Sequence, residues 1–212
     1  MAAVLAQCAP ALLVRRLGRA DYLTTLEAMR RFTRLRNAQT PDELWLLEHP
    51  PIYTLGHAAD PAHGPQGGSV PVLRVERGGQ VTYHGPGQVV LYTLIDLARR
   101  AIKVREFVCL MEQAVIDLLA AVGVAGLRRP GAPGVYVGDA KVAALGIRVA
   151  RGCTFHGLAL NVDMDLSPFE AIDPCGYPGL RVTQTKDLGI PLTPDQAGER
   201  LAAVLADAIA HA

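Results

Sequence analysis

The chain has 212 residues, half of them apolar and 19% charged, which suits one folded domain over residues 1–212 and excludes wholesale disorder. Lys and Arg number 21 against 20 for Asp and Glu, so the positive excess that nucleic-acid binding requires is missing. No apolar run approaches the roughly 20 residues that span a bilayer, and the N-terminus lacks the basic start of a secretory signal. Cys8, Cys109, Cys153 and Cys175 form no CxxC pair, so we expect a cytoplasmic protein with reduced thiols and no metal. We also expect no cofactor and no membrane partner.

The first half of the chain is predicted to contain one helix followed by short strands. A spacing of about three residues between apolar positions predicts a helix over Asp21–Asn37. Five β-rich segments follow, bounded by Pro, Gly or polar residues: Glu43–Glu48, Ile52–Leu55, Val70–Glu76, Val81–Tyr83 and Val89–Ile95. The segment between the last two, HGPGQ, has the composition of a turn.

The second half is predicted to contain two long helices around three strands. Val104–Val122 has the strongest helical pattern, and Cys109 within it is expected to pack as a small hydrophobe. The strands are Gly134–Val137, Lys141–Val149 and Thr154–Val162, joined by turns. A last helix begins at Thr193 with the sequence of a capping box. This order predicts an α+β fold, a mixed or antiparallel central sheet with outer helices and no βαβ winding.

Two segments have glycine or lysine in unusual surroundings. In Arg77–Gln88, paired glycines allow backbone amides to approach a ligand and stabilise an oxyanion, although a hairpin with a glycine bulge explains them as well. In Gly138–Gly146, Lys141 stands among small apolar residues. A buried lysine there gives up its proton more readily and acts as a base, whereas the simpler reading is an exposed lysine at the end of a hairpin.

Two further segments carry a histidine and a cysteine. In His156–Val162 apolar residues alternate with small or polar ones, so one face is predicted to line a cavity, and His156 by itself is read as a hydrogen-bonded structural residue. In Ile172–Leu180, proline and glycine frame Cys175 on a rigid loop that exposes its thiol. Cys153 and the remaining cysteines lie in apolar or terminal settings and are expected to be inert.

Together these segments resemble one family, the lipoyl(octanoyl) transferases. The resemblance runs from Trp45 to about Thr183, roughly two thirds of the chain. It comprises Glu48–Gly56, Arg77–Gln88, Pro133–Val137 leading to Lys141, His156–Val162 and Pro174–Gly176. The run RGGQVTYHGPGQ, followed at a distance by HGLALNV and PCG, makes it specific. It implies a mixed-sheet fold shared with the catalytic core of biotin and lipoate ligases.

The resemblance also implies an activity and a set of site residues. Enzymes of this family move an octanoyl group from octanoyl-acyl carrier protein to a lysine on the lipoyl domains of 2-oxoacid dehydrogenase E2 subunits and on the glycine cleavage H protein, the first step of endogenous lipoylation. The family's nucleophile maps to Cys175, and its partner lysine maps to Lys141. Its acyl-binding segments map to Arg77, Gly78, Gly79, Gln80, Val81, Thr82, Tyr83 and His84, to Ala144, Leu145 and Gly146, and to Gly157, Leu158 and Ala159.

These roles give a mechanism as a hypothesis. The Cys175 thiolate attacks the thioester and becomes acylated, and Lys141 first favours the thiolate and later accepts a proton from the acceptor amine. Amides around Gly78–Gly79 or Leu145–Gly146 are candidates to hold the oxyanion. Glycine and alanine in the acyl-binding segments leave room for the chain, so a bulky residue at Gly157 is expected to weaken transfer.

Three rival functions remain open on the residues alone. An ATP-dependent lipoate or biotin ligase on the same scaffold needs the lysine but gives Cys175 no task. A non-catalytic acyl-carrier-binding protein needs neither side chain. A thioesterase differs only in using water as the acyl acceptor.

A basic stretch between Arg15 and Arg36 contains seven arginines and only two acidic residues. Acyl carrier proteins and lipoyl domains are acidic, so this stretch is a candidate docking surface, with a solvated face as the simpler alternative.

Overall fold

The computed structural model describes residues 12–174 and 179–212. Cys8 and the predicted nucleophile Cys175 fall outside these described residues.

The chain forms nine strands and four α-helices over the described ranges. The strands are β1 (Leu12–Arg19), β2 (Asp42–Glu48), β3 (Ile52–Leu55), β4 (Val72–Arg74), β5 (Val81–His84), β6 (Gln88–Leu94), β7 (Gly134–Val137), β8 (Ala140–Ala150) and β9 (Cys153–Asn161). The helices are α1 (Tyr22–Leu35), α2 (Leu97–Arg100), α3 (Val104–Ala120) and α4 (Pro194–Ala210).

These bounds agree with the sequence predictions to within two residues for every predicted element. Polar residues at the starts of helices explain part of the agreement. Asp21 caps α1 by accepting a hydrogen bond from the Thr24 amide at 2.9 Å, and Thr193 caps α4 through the predicted capping box. The sequence analysis missed β1 and the short helix α2.

The strands form two sheets. The larger has six strands in the order β1-β2-β6-β9-β8-β7, and the smaller has three in the order β4-β3-β5. Strand β1 runs parallel to β2, and the other neighbours in the large sheet are antiparallel. The predicted mixed α+β fold is therefore confirmed. The expectation of no βαβ winding is wrong at one place, because α1 connects the parallel strands β1 and β2.

The helices cover both faces of the large sheet. Consecutive residues of β6 belong to different core clusters, since Leu91 packs with α3 and α4 while Tyr92 packs with α1. This alternation is the two-residue period of a strand buried on both faces. The strand is consequently apolar at nearly every position and fixes the middle of the molecule.

The two described cysteines differ in their surroundings. Cys109 is exposed on α3, so the expectation that it packs as a small hydrophobe is wrong; the helix turns Phe107 and Met111 toward the core instead. Cys153 is buried at the start of β9, and burial raises the pKa of its thiol, which makes it a poor nucleophile.

Within the described ranges, no helix combines the length and apolar composition that crossing a bilayer demands.

Candidate active site

A cavity lies between β5, β8 and β9 and gathers most of the predicted site residues. From the Arg77–His84 segment, every predicted residue except Gly78 and Tyr83 lines it. The three predicted residues of β8 and the three of β9 line it as well, together with Lys141. Tyr83 packs its ring against Tyr53 and Phe169 instead, at centroid distances of 5.3 and 5.6 Å.

Lys141 is a buried amine at this cavity. Its side chain belongs to a residue only 3% exposed, so the reading of an exposed lysine at a hairpin end is wrong. The ammonium nitrogen Nζ donates a hydrogen bond to the Pro133 carbonyl at 2.7 Å and lies 5.4 Å from the centre of the Tyr136 ring. The backbone of Lys141 pairs with Arg181 and Thr183 on its other side, which holds the residue firmly in the sheet.

The lysine side chain occupies space left by a glycine that sequence reasoning did not single out. A Cβ atom added at Gly134 would lie 2.3 Å from Cε of Lys141 and 2.9 Å from its Nζ. The Gly134 amide is fixed by the buried carboxylate of Glu112 on α3 at 3.0 Å. The signal in the sequence was present, since Gly134 stands within the segment Pro133–Val137 that resembles the family, but its role depends on packing.

The described residues on both sides of the predicted nucleophile also reach this cavity. Pro174, which precedes Cys175 in the sequence, lines it, and so does Val182. Asp173 is held by His63, whose ring nitrogen Nδ1 lies 2.9 Å from a carboxylate oxygen and whose carbonyl accepts from the Asp173 amide. Val182 forms a parallel bridge with Lys141.

Arg77 organises the glycine pair next to it. The guanidinium is buried and donates to the carbonyl of Thr54 at 2.7 Å and to the carbonyl of Gly78 at 2.9 Å. The Gly78 amide donates to the Ile147 carbonyl at 2.9 Å, so this amide is not available to donate a hydrogen bond to an oxyanion. A Cβ atom at Gly146 would come within 2.8 Å of the Gly78 oxygen, which explains the glycine on β8 by close approach.

A buried hydrogen-bond network connects β5, β6 and β9 beside Lys141. The Gln88 amide nitrogen donates to the Asn161 side-chain oxygen at 2.9 Å, and its oxygen lies 2.7 Å from Nδ1 of His84. Because the Gln88 oxygen is an acceptor, Nδ1 of His84 must be the donor. Burial, with the charge of Arg77 among further causes, lowers the pKa of His84 to about 3, so the ring is neutral near pH 7.

His156 departs from its predicted role. The residue is 1% exposed, and neither ring nitrogen has a hydrogen-bond partner among the described residues, so it is not the hydrogen-bonded structural histidine that the sequence favours. Its backbone has a φ of 62°, a left-handed conformation that costs a side chain other than glycine roughly 1–2 kcal/mol. Burial first, and the nearby charge of Arg77 second, lower the pKa of His156 to about 3.

The close pairing of β9 with β6 requires a glycine at position 157. A Cβ atom there would lie 2.0 Å from the carbonyl oxygen of Leu91 on β6, so any side chain disrupts strand pairing. A bulky substitution at Gly157 therefore tests folding and not the width of the cavity, contrary to the reason given from the sequence.

Most of the basic stretch is neutralised within the chain. Five of its seven arginines pair with carboxylates: Arg15 with Glu43, Arg16 with Glu199, Arg19 with Glu48, Arg30 with Glu76 and Arg36 with Asp42. Among the described residues, Arg31 and Arg34 have no carboxylate partner. The docking hypothesis for this surface now depends on these two side chains.

Comparison with known proteins identifies relatives along almost the whole chain. The model of the family described as lipoyl protein ligase A/B catalytic domain matches residues 21–206. An octanoyltransferase of Dechloromonas aromatica (strain RCB) is 62% identical over 188 residues, which are 89% of this chain and 92% of the relative.

Solved structures agree on the fold. A bipartite lipoate protein ligase from Thermoplasma acidophilum, described with its E2 lipoyl domain, superimposes with a TM-score of 0.74 at 16% identity, covering 96% of this chain and 85% of the other. The biotin protein ligase of Aquifex aeolicus superimposes with a TM-score of 0.56 at 9% identity, covering 94% of this chain and 69% of the other. The predicted likeness to the catalytic core of these ligases is confirmed.

Proposed function

Because the chain belongs to the lipoyl(octanoyl) transferase family, whose members are acyltransferases of protein lipoylation, we propose that it transfers octanoyl from octanoyl-acyl carrier protein to lipoyl domains through an acyl-enzyme on Cys175. The acceptors are the lipoyl domains of 2-oxoacid dehydrogenase E2 subunits and the glycine cleavage H protein. The proposed enzyme is one domain over residues 1–212, works in the cytoplasm and uses no cofactor.

One observation carries this proposal. Lys141, Pro174 and Val182 line the same cavity, and the first two are the predicted base and the residue directly before the predicted nucleophile. Lys141 and the two residues that flank the predicted nucleophile therefore meet where the acyl-binding glycines and alanines of β8 and β9 also lie. This arrangement supports a dyad of Cys175 and Lys141 at the opening of an acyl-binding cavity.

The reaction has two steps that balance without an external energy source. The Cys175 sulfur attacks the thioester carbonyl, a new thioester forms on the enzyme, and the carrier protein leaves as its thiol. The ε-amine of the acceptor lysine then attacks the acyl-enzyme, an amide forms, and the cysteine leaves as thiolate. The Lys141 ammonium stabilises the Cys175 thiolate and gives its proton to the departing carrier thiolate, which leaves Lys141 neutral. The neutral amine then takes the proton that the acceptor amine loses, and the restored ammonium stabilises the released thiolate.

The cavity provides the binding energy for the chain. Its lining from β8 and β9 is small or apolar, as in Ala144, Gly146, Leu158 and Ala159. Burying six or seven methylenes against such a lining at about 0.8 kcal/mol each contributes about 5 kcal/mol. This hydrophobic contribution favours a fatty acyl group over an acetyl group.

An assay without nucleotide separates this function from that of an ATP-dependent ligase. With octanoyl-acyl carrier protein as donor and an isolated lipoyl domain as acceptor, we expect the mass of the acceptor to rise by one octanoyl group in the absence of ATP. Free octanoate with ATP is expected to give no product. The reverse pattern would establish a ligase and refute the proposal.

The lysine is tested in the same assay. Lys141→Met keeps the length of the side chain and removes the amine, so we expect a loss of at least about a hundredfold in kcat/KM. Lys186→Met, at an exposed lysine paired with Asp163, is the matched control and should retain activity. Equal rates in the two variants would rule out a catalytic role for Lys141.

A further inference from the structure

His156 lines the acyl cavity at a distance from the reacting groups. It pairs across the sheet with Ile147, which is three positions beyond Ala144 on β8. Ala144 pairs on its other side with Gly134, against which Nζ of Lys141 lies, so about 10 Å of strand separates the amine from the level of His156, close to the length of an extended octanoyl chain. Two of the three cross-strand pairs from Ala144 to Gly146 consist of small residues, Ala144 with Ala159 and Gly146 with Gly157, and Leu145 with Leu158 stands between them. An acyl chain whose thioester lies at Lys141 and which follows these small residues points toward the imidazole.

A polar imidazole is unexpected in the apolar wall of a cavity. Its ring stacks on Phe155 at a centroid distance of 5.1 Å and meets the Tyr92 ring edge-on at 6.0 Å, yet neither nitrogen has a hydrogen-bond partner within residues 12–174 and 179–212. A buried polar side chain without a partner is rare and requires an explanation. Its left-handed backbone favours glycine, so the backbone does not explain a histidine either.

We propose that His156 is the end stop of the acyl cavity and sets the length of the chain that the enzyme transfers, an inference that rests on the proposed function. A chain longer than octanoyl meets the ring directly. The stop therefore acts through shape, and the unusual backbone turns the ring into this position.

The substitution His156→Gly removes the ring and suits the backbone, because glycine adopts a φ of 62° without strain. We expect the ratio of kcat/KM for decanoyl-acyl carrier protein to that for octanoyl-acyl carrier protein to rise about tenfold, the effect of burying two further methylenes. Arg151→Gly is the matched control, since Arg151 also has a left-handed backbone, with a φ of 54°, but is exposed in the turn between β8 and β9. It should leave the ratio unchanged.

Binding of free fatty acids tests the inference apart from the transfer reaction. By calorimetry, we expect the native protein to prefer octanoate over decanoate and dodecanoate, and His156→Gly to shift the preference to the longer acids. Absence of octanoyl transfer by the native protein would refute the proposed function, while this binding series would still decide the role of His156.

The result that overturns the inference is an unchanged chain-length preference in a folded His156→Gly protein, with folding verified by its thermal transition. If His156→Gly does not fold, His156→Asn provides the test, because asparagine tolerates a left-handed backbone and has a shorter polar side chain. Its preference should move in the same direction by a smaller factor, and no movement would equally overturn the inference.

Discussion

At the scale of single residues, the amine of Lys141 lies in space that any side chain at Gly134 would fill. The Lys141 amine donates to the Pro133 carbonyl and lies over the Tyr136 ring, and the bare backbone of Gly134 leaves the space that this position requires. Glu112 fixes that backbone from α3. A glycine and a glutamate outside the proposed chemistry thereby position the proposed base.

Gly134→Ala is expected to lower kcat/KM by at least about a hundredfold, because the added methyl group displaces the lysine on which proton transfer depends. The methyl group would also lie 2.7 Å from the Ala143 carbonyl oxygen on β8, so the thermal transition of the variant must show that it folds. Steady-state transfer to a lipoyl domain measures the loss. Gly131→Ala is the control: Gly131 also has a positive φ, 76° against 140° at Gly134, but a Cβ there meets nothing within 4 Å. Similar losses in both variants would attribute the effect to backbone strain and contradict this role for Gly134.

At the scale of elements, one buried carboxylate connects α1, β2 and α2. Asp42 at the start of β2 is fully buried and pairs with Arg36 at 2.5 Å, Arg99 at 2.7 Å and Arg100 at 2.6 Å. Burial alone would raise the pKa of Asp42, but the Asp96 amide and the guanidiniums of Arg100 and Arg36 hold it below its ordinary value. The carboxylate is therefore ionised near pH 7 and neutralises part of the basic stretch.

Asp42→Asn is expected to destabilise the protein by about 3–5 kcal/mol, because the guanidiniums around it lose the charge that compensates their burial. Urea unfolding followed by circular dichroism measures the change, and Asp207→Asn at an exposed site on α4 is the control. A loss below about 1 kcal/mol would show that Asp42 does not hold these elements together.

The elements that could be predicted are those in which the pattern of apolar residues itself indicates burial. Strands β8 and β9 are mostly apolar, and α3 has an apolar face, so local patterns sufficed. Strand β1 is an edge strand rich in arginine, with most residues exposed, and it exists only through its pairing with β2. A strand that is stabilised only by pairing with a distant segment has no periodic pattern of its own in the sequence.

The site residues also divide into those that sequence patterns predict and those whose roles depend on packing. Motif resemblance predicted which residues gather at the cavity, because the glycines and Lys141 lie in recognisable runs. It did not predict that Gly134 makes room for the lysine or that His156 lacks partners, since both facts depend on where other segments pack.

At the scale of the whole molecule, buried neutral histidines couple stability to pH. Burial lowers the pKa of His84 and of His156 to about 3 and lowers that of His49 as well. In the unfolded chain these side chains bind a proton near pH 6.5. The unfolded state therefore binds more protons below that pH, and stability present above it is lost as the pH falls toward 3.

We expect the free energy of unfolding to fall by up to about 1.4 kcal/mol per pH unit for each such histidine between about pH 6.5 and about pH 5. Urea titrations at several pH values measure this slope. His156→Gly should reduce it by about one proton, whereas His211→Asn, at an exposed position after α4, should not. A slope unaffected by His156→Gly would contradict the neutral, buried state of this histidine.

If Cys175 carries the acyl group between two proteins, intact-protein mass spectrometry will detect the acylated enzyme. After mixing with octanoyl-acyl carrier protein and no acceptor, the native protein should gain one octanoyl group on Cys175, and a lipoyl domain should then remove it. Cys175→Ala should gain none, and Cys109→Ala should behave as the native protein. Octanoyl transfer at the native rate by Cys175→Ala, with no acylated enzyme at any time, would contradict the account.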